Sequence, residues 1–175
     1  MTKIQEAQLI LKKLGLPEAQ QNEIAGYTLL AICGIKEKDK WVKAKNQSKG
    51  VSKGIMSFIA TNYQKEYAPN TRETIRRQVL HQLVQAGIVD YNPDIPDLPV
   101  NSPRTHYAIS EIAIETIKTY RTRKWNDAVK KFKAQIGYLK DKYSKDREMS
   151  KVPLKLANGK TLMLSPGKHN EVQAV

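Results

Sequence analysis

Tyr67-Ala68-Pro69-Asn70-Thr71-Arg72-Glu73-Thr74-Ile75-Arg76-Arg77-Gln78-Val79-Leu80-His81-Gln82-Leu83-Val84-Gln85-Ala86-Gly87-Ile88-Val89-Asp90-Tyr91 is the stretch from which the fold follows. Pro69 turns Ala68 away from helix. Asn70 or Thr71 then caps the first turn, and Glu73 completes a pattern like a capping box. At about 100° per residue, Ile75, Val79, Leu80, Leu83 and Ala86 share one sector. Thr74, Arg77, Gln78, His81 and Gln85 lie opposite. Arg76 cuts across this pattern, near the apolar sector, where its long stem either reaches out to a phosphate or pairs with Glu73. Gly87 closes the helix, and Ile88-Val89 begins a strand. After a loop bearing Pro93, Pro96, Pro99 and Pro103, the chain returns through Thr105-His106-Tyr107-Ala108-Ile109. A capped basic helix followed by a long-looped hairpin is the pattern of a winged helix.

The polar side of that helix carries the chemistry of nucleic-acid readout. Arg binds guanine edges and phosphates, Gln and Asn bind adenine, and Thr and His contact either. The candidate DNA contacts are Asn70, Thr71, Arg72, Thr74, Arg76, Arg77, Gln78 and His81. Asn101, Ser102 and Arg104, with Thr105, lie where a wing touches sugar and phosphate. The plainer reading of the same residues is an amphipathic surface helix with a solvated arginine face.

Outward from this stretch, the preceding segment 53–63 reads as a helix capped by Ser52, with Ile55, Met56, Phe58, Ile59 and Tyr63 inward; the two helices make a helix-turn-helix. Lys36 to Lys53 reads as a charged connector carrying seven lysines, with one helical turn at Trp41 to Ala44. It is read either as a phosphate-tracking loop or as a lysine-rich surface, and Gly50 and Ser48 mark Lys49 as mobile. Further upstream, Asn22 to Gly34 is apolar on most sides and reads as buried. Thr2 to Gln5 is a capping box. Ile4, Ala7, Leu11 and Leu14 follow helical spacing to Gly15, with Leu16 folding back on Leu11.

Downstream, Ser110 caps a helix containing Ile112, Ile114, Ile117 and Tyr120. A further helix starts near Asn126 or Asp127 and runs to about Met149, with Val129, Phe132, Ile136 and Leu139 as its apolar side. Residues 118–151 hold twelve basic and four acidic side chains. The tail changes character: Val152, Leu154 and Leu156 alternate, Asn158-Gly159 signals a type I′ turn, Leu162 and Leu164 alternate on the return, and Ser165-Pro166-Gly167 starts a helix. The expected division is 1–150 for the winged-helix domain (recognition helix 71–86, wing 88–109) and 151–175 for the hairpin and the start of a second domain.

The chain has 175 residues and a net charge of +13, which suits a polyanionic partner. One cysteine, Cys33, forms no internal disulfide, and its apolar neighbours place it in the core; a reducing cytoplasm fits this. No apolar run approaches the roughly 20 residues of a membrane span. One cysteine and three scattered histidines make no zinc site. There is no P-loop and no dinucleotide fingerprint. Pro93-Asp94 and Pro96-Asp97 imitate the opening of a PD-(D/E)xK nuclease site, but no Asp-x-Lys or Glu-x-Lys follows them on a strand. No catalytic residue and no cofactor is therefore expected within these residues.

Residues 11–170 resemble the N-terminal part of PstI/BsuBI-type restriction endonucleases. The resemblance rests on Ile10 to Pro17, Glu66 to Gln78, His81-Gln82, Ala86 to Val89, Val100-Asn101-Ser102-Pro103, Leu164 to Gly167 and His169-Asn170. It implies a parent enzyme that cuts duplex DNA at the palindrome CTGCAG with Mg²⁺, as a homodimer, through a PD-(D/E)xK domain that follows this region. The chain is expected to be truncated before that domain. The expected fold is accordingly mainly α: a winged helix-turn-helix with flanking helices and a small β wing, plus a C-terminal hairpin. The alternatives are a stand-alone winged-helix transcription regulator and a protein-interaction module whose basic helix docks an acidic partner.

Overall fold

The computed structural model describes residues 1–95, 97–100 and 102–149 and the strands Val152–Lys155 and Thr161–Leu164, with side chains described as far as Leu139. The expected Asn101 contact, the turn at Asn158-Gly159 and the helix at Ser165 lie outside these residues. The chain divides into two compact units, Met1–Lys133 and Ala134–Val175.

The first unit is mainly helical, as the sequence leads one to expect. Helix α1 spans Lys3–Lys13 and starts at the capping box: the Gln5 N–H donates to the Thr2 hydroxyl, and the Thr2 N–H donates to the Gln5 side chain. It ends at Gly15, whose φ of 101° is open to glycine, with the Leu16 N–H returning to the Leu11 carbonyl. Helix α2, Glu23–Cys33, is capped by Asn22 and stops at left-handed Gly34. It forms the centre of the core, with Leu29, Leu30, Ala31, Ile32 and Cys33 fully covered. Burial pushes the Cys33 thiol up to about 12, so it is an inert apolar group. Gly26 lets α1 approach α2: a Cβ there would lie 2.6 Å from the end of the Ile4 side chain.

Helix α3 covers residues 51–63, a π-helical segment Val51–Met56 continuing as α-helix Ser57–Tyr63. Here the sequence reading needs correction. Ser52 is no cap; Gly50 occupies that position in extended conformation, and the Ile55 N–H reaches back five residues to the Gly50 carbonyl. Helix α4 covers residues 71–85 and has the same construction: α-helix Thr71–Thr74, π-helical Ile75–Leu80, α-helix His81–Gln85. Ile75, Val79, Leu80 and Leu83 are buried, while Ala86, given the same role by the wheel, is only partly covered. Gly87 follows at φ 77°. Strands β1, Val89–Tyr91, and β2, Tyr107–Ile109, pair antiparallel with Val89 opposite Ile109 and Tyr91 opposite Tyr107.

The connector before α3 is the largest departure from expectation. It docks on the body through Trp41 and Ala44, both buried, around a single 3₁₀ turn Trp41–Lys43. The Trp41 indole donates to the buried Glu6 carboxylate at 2.9 Å. Lys49 bridges to β2 as a third, one-residue strand: its N–H donates to the Tyr107 carbonyl at 2.8 Å and its carbonyl accepts from the Tyr107 N–H at 2.9 Å. Its ammonium donates to the Ala31 carbonyl at the end of α2 and lies 4.2 Å from the centre of the Phe58 ring. Burial lowers its pKa below the ordinary lysine value. Lys49 is thus part of the framework and not a mobile phosphate contact.

Helix α5, Glu111–Ile117, is capped by Ser110, whose hydroxyl accepts from the Ala113 N–H and donates to the Gly87 carbonyl. Helix α6 runs Trp125–Met149. Val129 and Phe132 are buried, but Ile136 is half-buried and Leu139 is 45% exposed, so the expected apolar side extends only over the first turns. In the second unit, β3 (Val152–Lys155) pairs antiparallel with β4 (Thr161–Leu164), Val152 opposite Leu164.

Candidate nucleic-acid interface

Helix α4 begins without the side-chain cap that its sequence advertises. Asn70 is itself helical and makes no capping bond. The first amides are met by backbone instead: Thr71 N–H to Ala68 O, Arg72 N–H to Pro69 O, and Glu73 N–H to Asn70 O. Pro69, with its fixed φ and no N–H, starts this tight turn and leaves the Asn70 side chain unneeded as a cap. Glu73 is then free for another task. Its Oε2 accepts from Arg76 Nη2 at 3.0 Å and from Arg77 Nε at 3.1 Å. These bonds hold its carboxyl below the usual carboxylate range, the Arg76 hydrogen bond foremost.

Two hollows flank Arg76. One, of about 440 Å³, lies between α4 and the hairpin and is lined by Arg76, Arg77, His81, Val84, Tyr91 and Tyr107. Its floor is aromatic, with Tyr91 and Tyr107 rings 5.4 Å apart, and burial raises the pKa of the Tyr107 phenol. The second, of about 170 Å³, lies between the start of α4 and the wing loop. It brings Arg72, Glu73 and Arg76 against Ser102 and Thr105, with Val51 and Val100 at its edge.

Of the residues expected to contact DNA, Arg72, Arg77, Gln78 and His81 are exposed, and Thr71, Thr74 and Arg76 are partly covered. Arg77 extends furthest, with 74% of its side chain exposed. Arg72, Arg76 and Ser102 share the smaller hollow, and Arg76, Arg77 and His81 the larger. Asn70, Thr71, Thr74, Gln78 and Arg104 line neither. Sequence reasoning missed Val84, Tyr91 and Tyr107 as walls of a cleft, although Tyr91 at a strand end beside a basic helix was a usable signal.

It also missed how the wing loop is held. Asn92 is buried at φ 45° and trades bonds with His106: its amide donates to the His106 carbonyl, and its side-chain oxygen accepts from the His106 N–H. The two imidazole nitrogens of His106 face the Arg104 carbonyl and the Asp94 carboxylate. Both partners are acceptors, so both ring nitrogens carry protons and the ring is an imidazolium. The backbone bond to Arg104 and then the bond to Asp94 raise the His106 pKa, while Asp94 is lowered by the same contact.

A family model described as the BsuBI/PstI restriction endonuclease HTH domain matches residues 1–141. The chain belongs to the BsuBI/PstI restriction endonuclease family. It is 42% identical over 169 residues to the type II restriction enzyme BsuBI of Bacillus subtilis, a match covering 97% of this chain and 53% of that enzyme. It is 32% identical over 162 residues to the type II restriction enzyme AplI of Arthrospira platensis, covering 93% of this chain and 49% of AplI. The SdaI restriction endonuclease structure superimposes with a TM-score of 0.72 at 28% identity, over 98% of this chain and 53% of that one. The chain therefore spans about half the length of the BsuBI/PstI-family relatives it matches. Among the described residues, no helix is long and apolar enough to cross a membrane.

Proposed function

We propose that this chain is the DNA-reading part of a type II restriction endonuclease, with α4 as the recognition helix and the β1–β2 hairpin and its loop as the wing. The observation that carries this is the grouping of Arg72, Arg76, Arg77 and His81 around two hollows between one helix and one hairpin. That grouping sits in a domain matched by the family's HTH model. The residues proposed to touch DNA are Asn70, Thr71, Arg72, Thr74, Arg76, Arg77, Gln78 and His81 on the helix, with Asn101, Ser102 and Arg104 in the wing. The proposed site is the palindrome CTGCAG, read by two copies because a two-fold sequence calls for a two-fold reader. The restriction names of BsuBI and AplI favour this over a stand-alone regulator.

Mg²⁺ would serve the nuclease step of the parent enzyme. The residues described here do not fit that ion: among them no three His, Cys, Asp or Glu side chains gather into a metal site. The proposal is therefore for binding without cutting by these 175 residues. Fluorescence anisotropy against a CTGCAG duplex and a scrambled duplex tests it, across a salt series. Binding should weaken steeply with salt, by roughly one power of concentration per phosphate neutralised. No binding to either duplex at low salt refutes the reading. Linear products from plasmid with Mg²⁺, abolished by EDTA, refute the separation of binding from cutting.

A further inference from the structure

Buried hydrogen-bonding groups rarely go unpaired, and each exception calls for an explanation. Among the described residues three side-chain atoms are fully covered yet have no partner, and two of them, Arg76 Nε and Thr105 Oγ1, belong to residues lining the 170 Å³ hollow. They come from different elements, one from α4 and one from the end of the wing loop. Around them stand the guanidinium of Arg72 and the hydroxyl of Ser102. Glu73 is the one acid on the rim, and its Oε2 is already engaged by Arg76 and Arg77.

We infer that this hollow seats one phosphate of the DNA backbone, clamped between the recognition helix and the wing. The inference rests on the DNA-binding reading above and deepens it. Arg76 Nε–H and the Thr105 hydroxyl are the waiting donors. Arg72 supplies a second positive charge, and the Ser102 hydroxyl faces the same space. The volume suits a small oxyanion and not a base or a peptide side chain of any length. A phosphate held at this point fixes where α4 lies along the groove without reading sequence. The hollow thus sets register, while Arg77 and His81, on the other side of Arg76, face the bases.

Thr105→Val removes the hydroxyl and keeps the shape. Because Oγ1 has no protein partner, the variant should melt at the wild-type temperature or above it. Its affinity should fall about tenfold for the CTGCAG and scrambled duplexes alike, the loss expected for one hydrogen bond to a charged group. A series of CTGCAG duplexes, each with one methylphosphonate linkage, locates the seat. One linkage should weaken wild type by a similar factor and weaken Thr105→Val no further. Wild-type affinity in Thr105→Val, additive losses at every linkage, or a lower melting temperature overturns the phosphate seat. Failure of the wild-type chain to bind any duplex would instead remove the DNA reading itself, and this inference with it.

Discussion

Lys49→Ala separates the framework from the reading surface. By composition Lys49 is one of many basic residues in a polar stretch, and its loss ought to cost only a diffuse phosphate contact. The structure gives it a different role. The ammonium donates to the Ala31 carbonyl at 2.6 Å, at the exit of the most buried helix, and lies over the Phe58 ring. A hydrogen bond with a charged donor contributes about 1.5–3 kcal/mol and a cation–π contact about 0.5–1 kcal/mol. Desolvation, which also lowers the Lys49 pKa, offsets part of this. A net loss of about 2 kcal/mol is expected, and at roughly 2–4 °C per kcal/mol for a chain of this size the midpoint should drop about 4–8 °C. Lys49→Met, which keeps the stem, should lose about half as much. DNA affinity measured well below the midpoint should stay within about twofold of wild type, since a screened surface charge contributes little. Arg77→Ala should behave in the opposite way. Its affinity should fall by about 1–3 kcal/mol with the midpoint nearly unchanged. Calorimetry and anisotropy on the same samples decide it. If Lys49→Ala melts like wild type but binds DNA poorly, the framework role is wrong.

Gly54→Ala should destabilise the protein although alanine favours helix: its Cβ would lie 2.9 Å from Lys49 Cβ and 3.3 Å from Lys49 Cα, so the bridging strand must move. A midpoint at or above wild type would show that the strand yields freely. Glu73→Gln frees Arg76 and Arg77 and removes a negative charge, so binding to scrambled DNA should tighten while preference for CTGCAG declines; equal change on both duplexes would make Glu73 a simple surface charge. His106 should titrate above 6.5, its ordinary value. Its folded pKa is raised, so its stabilisation of the wing loop is full below the unfolded value and is lost as pH rises through the folded one. Amide exchange in residues 92–106 should speed up through that window in wild type and not in His106→Gln, and a titration at or below 6.5 would contradict the imidazolium.

Much of this fold is legible because its punctuation is chemical. Thr2, Gly15, Asn22, Gly34, Gly87 and Ser110 each mark a helix end that local hydrogen bonding or backbone conformation dictates. The hairpin around the proline-rich loop follows from Ile88-Val89 and the apolar return through Tyr107. What escaped was decided by partners distant in sequence. Lys49 gives no strand signal, because a single bridging residue needs no alternation, and its burial depends on Ala31, Phe58 and Tyr107. Asn70 carried a correct capping signal that Pro69 made redundant. The candidate helix was readable from composition, but the hollows were not, since they depend on where the wing loop returns. His106 finding Asp94 across twelve residues has no periodic signature.

The widened turn of α4 has a bearing on how such a helix changes over generations. A π-helical turn holds one residue more than the α-helical turn it replaces, and in α4 it falls between the arginines and His81. It behaves as an insertion that the helix has absorbed without breaking. Deleting one residue from 75–80 would let the turn close to α geometry, and everything beyond it would swing by about 100°. His81 and Val84 would leave the cleft, while Arg72 and Glu73, ahead of the deletion, would stay beside the wing loop. A length change of one residue is thus a switch for half of the proposed reading surface, a route to altered site preference that no point substitution in the same helix provides.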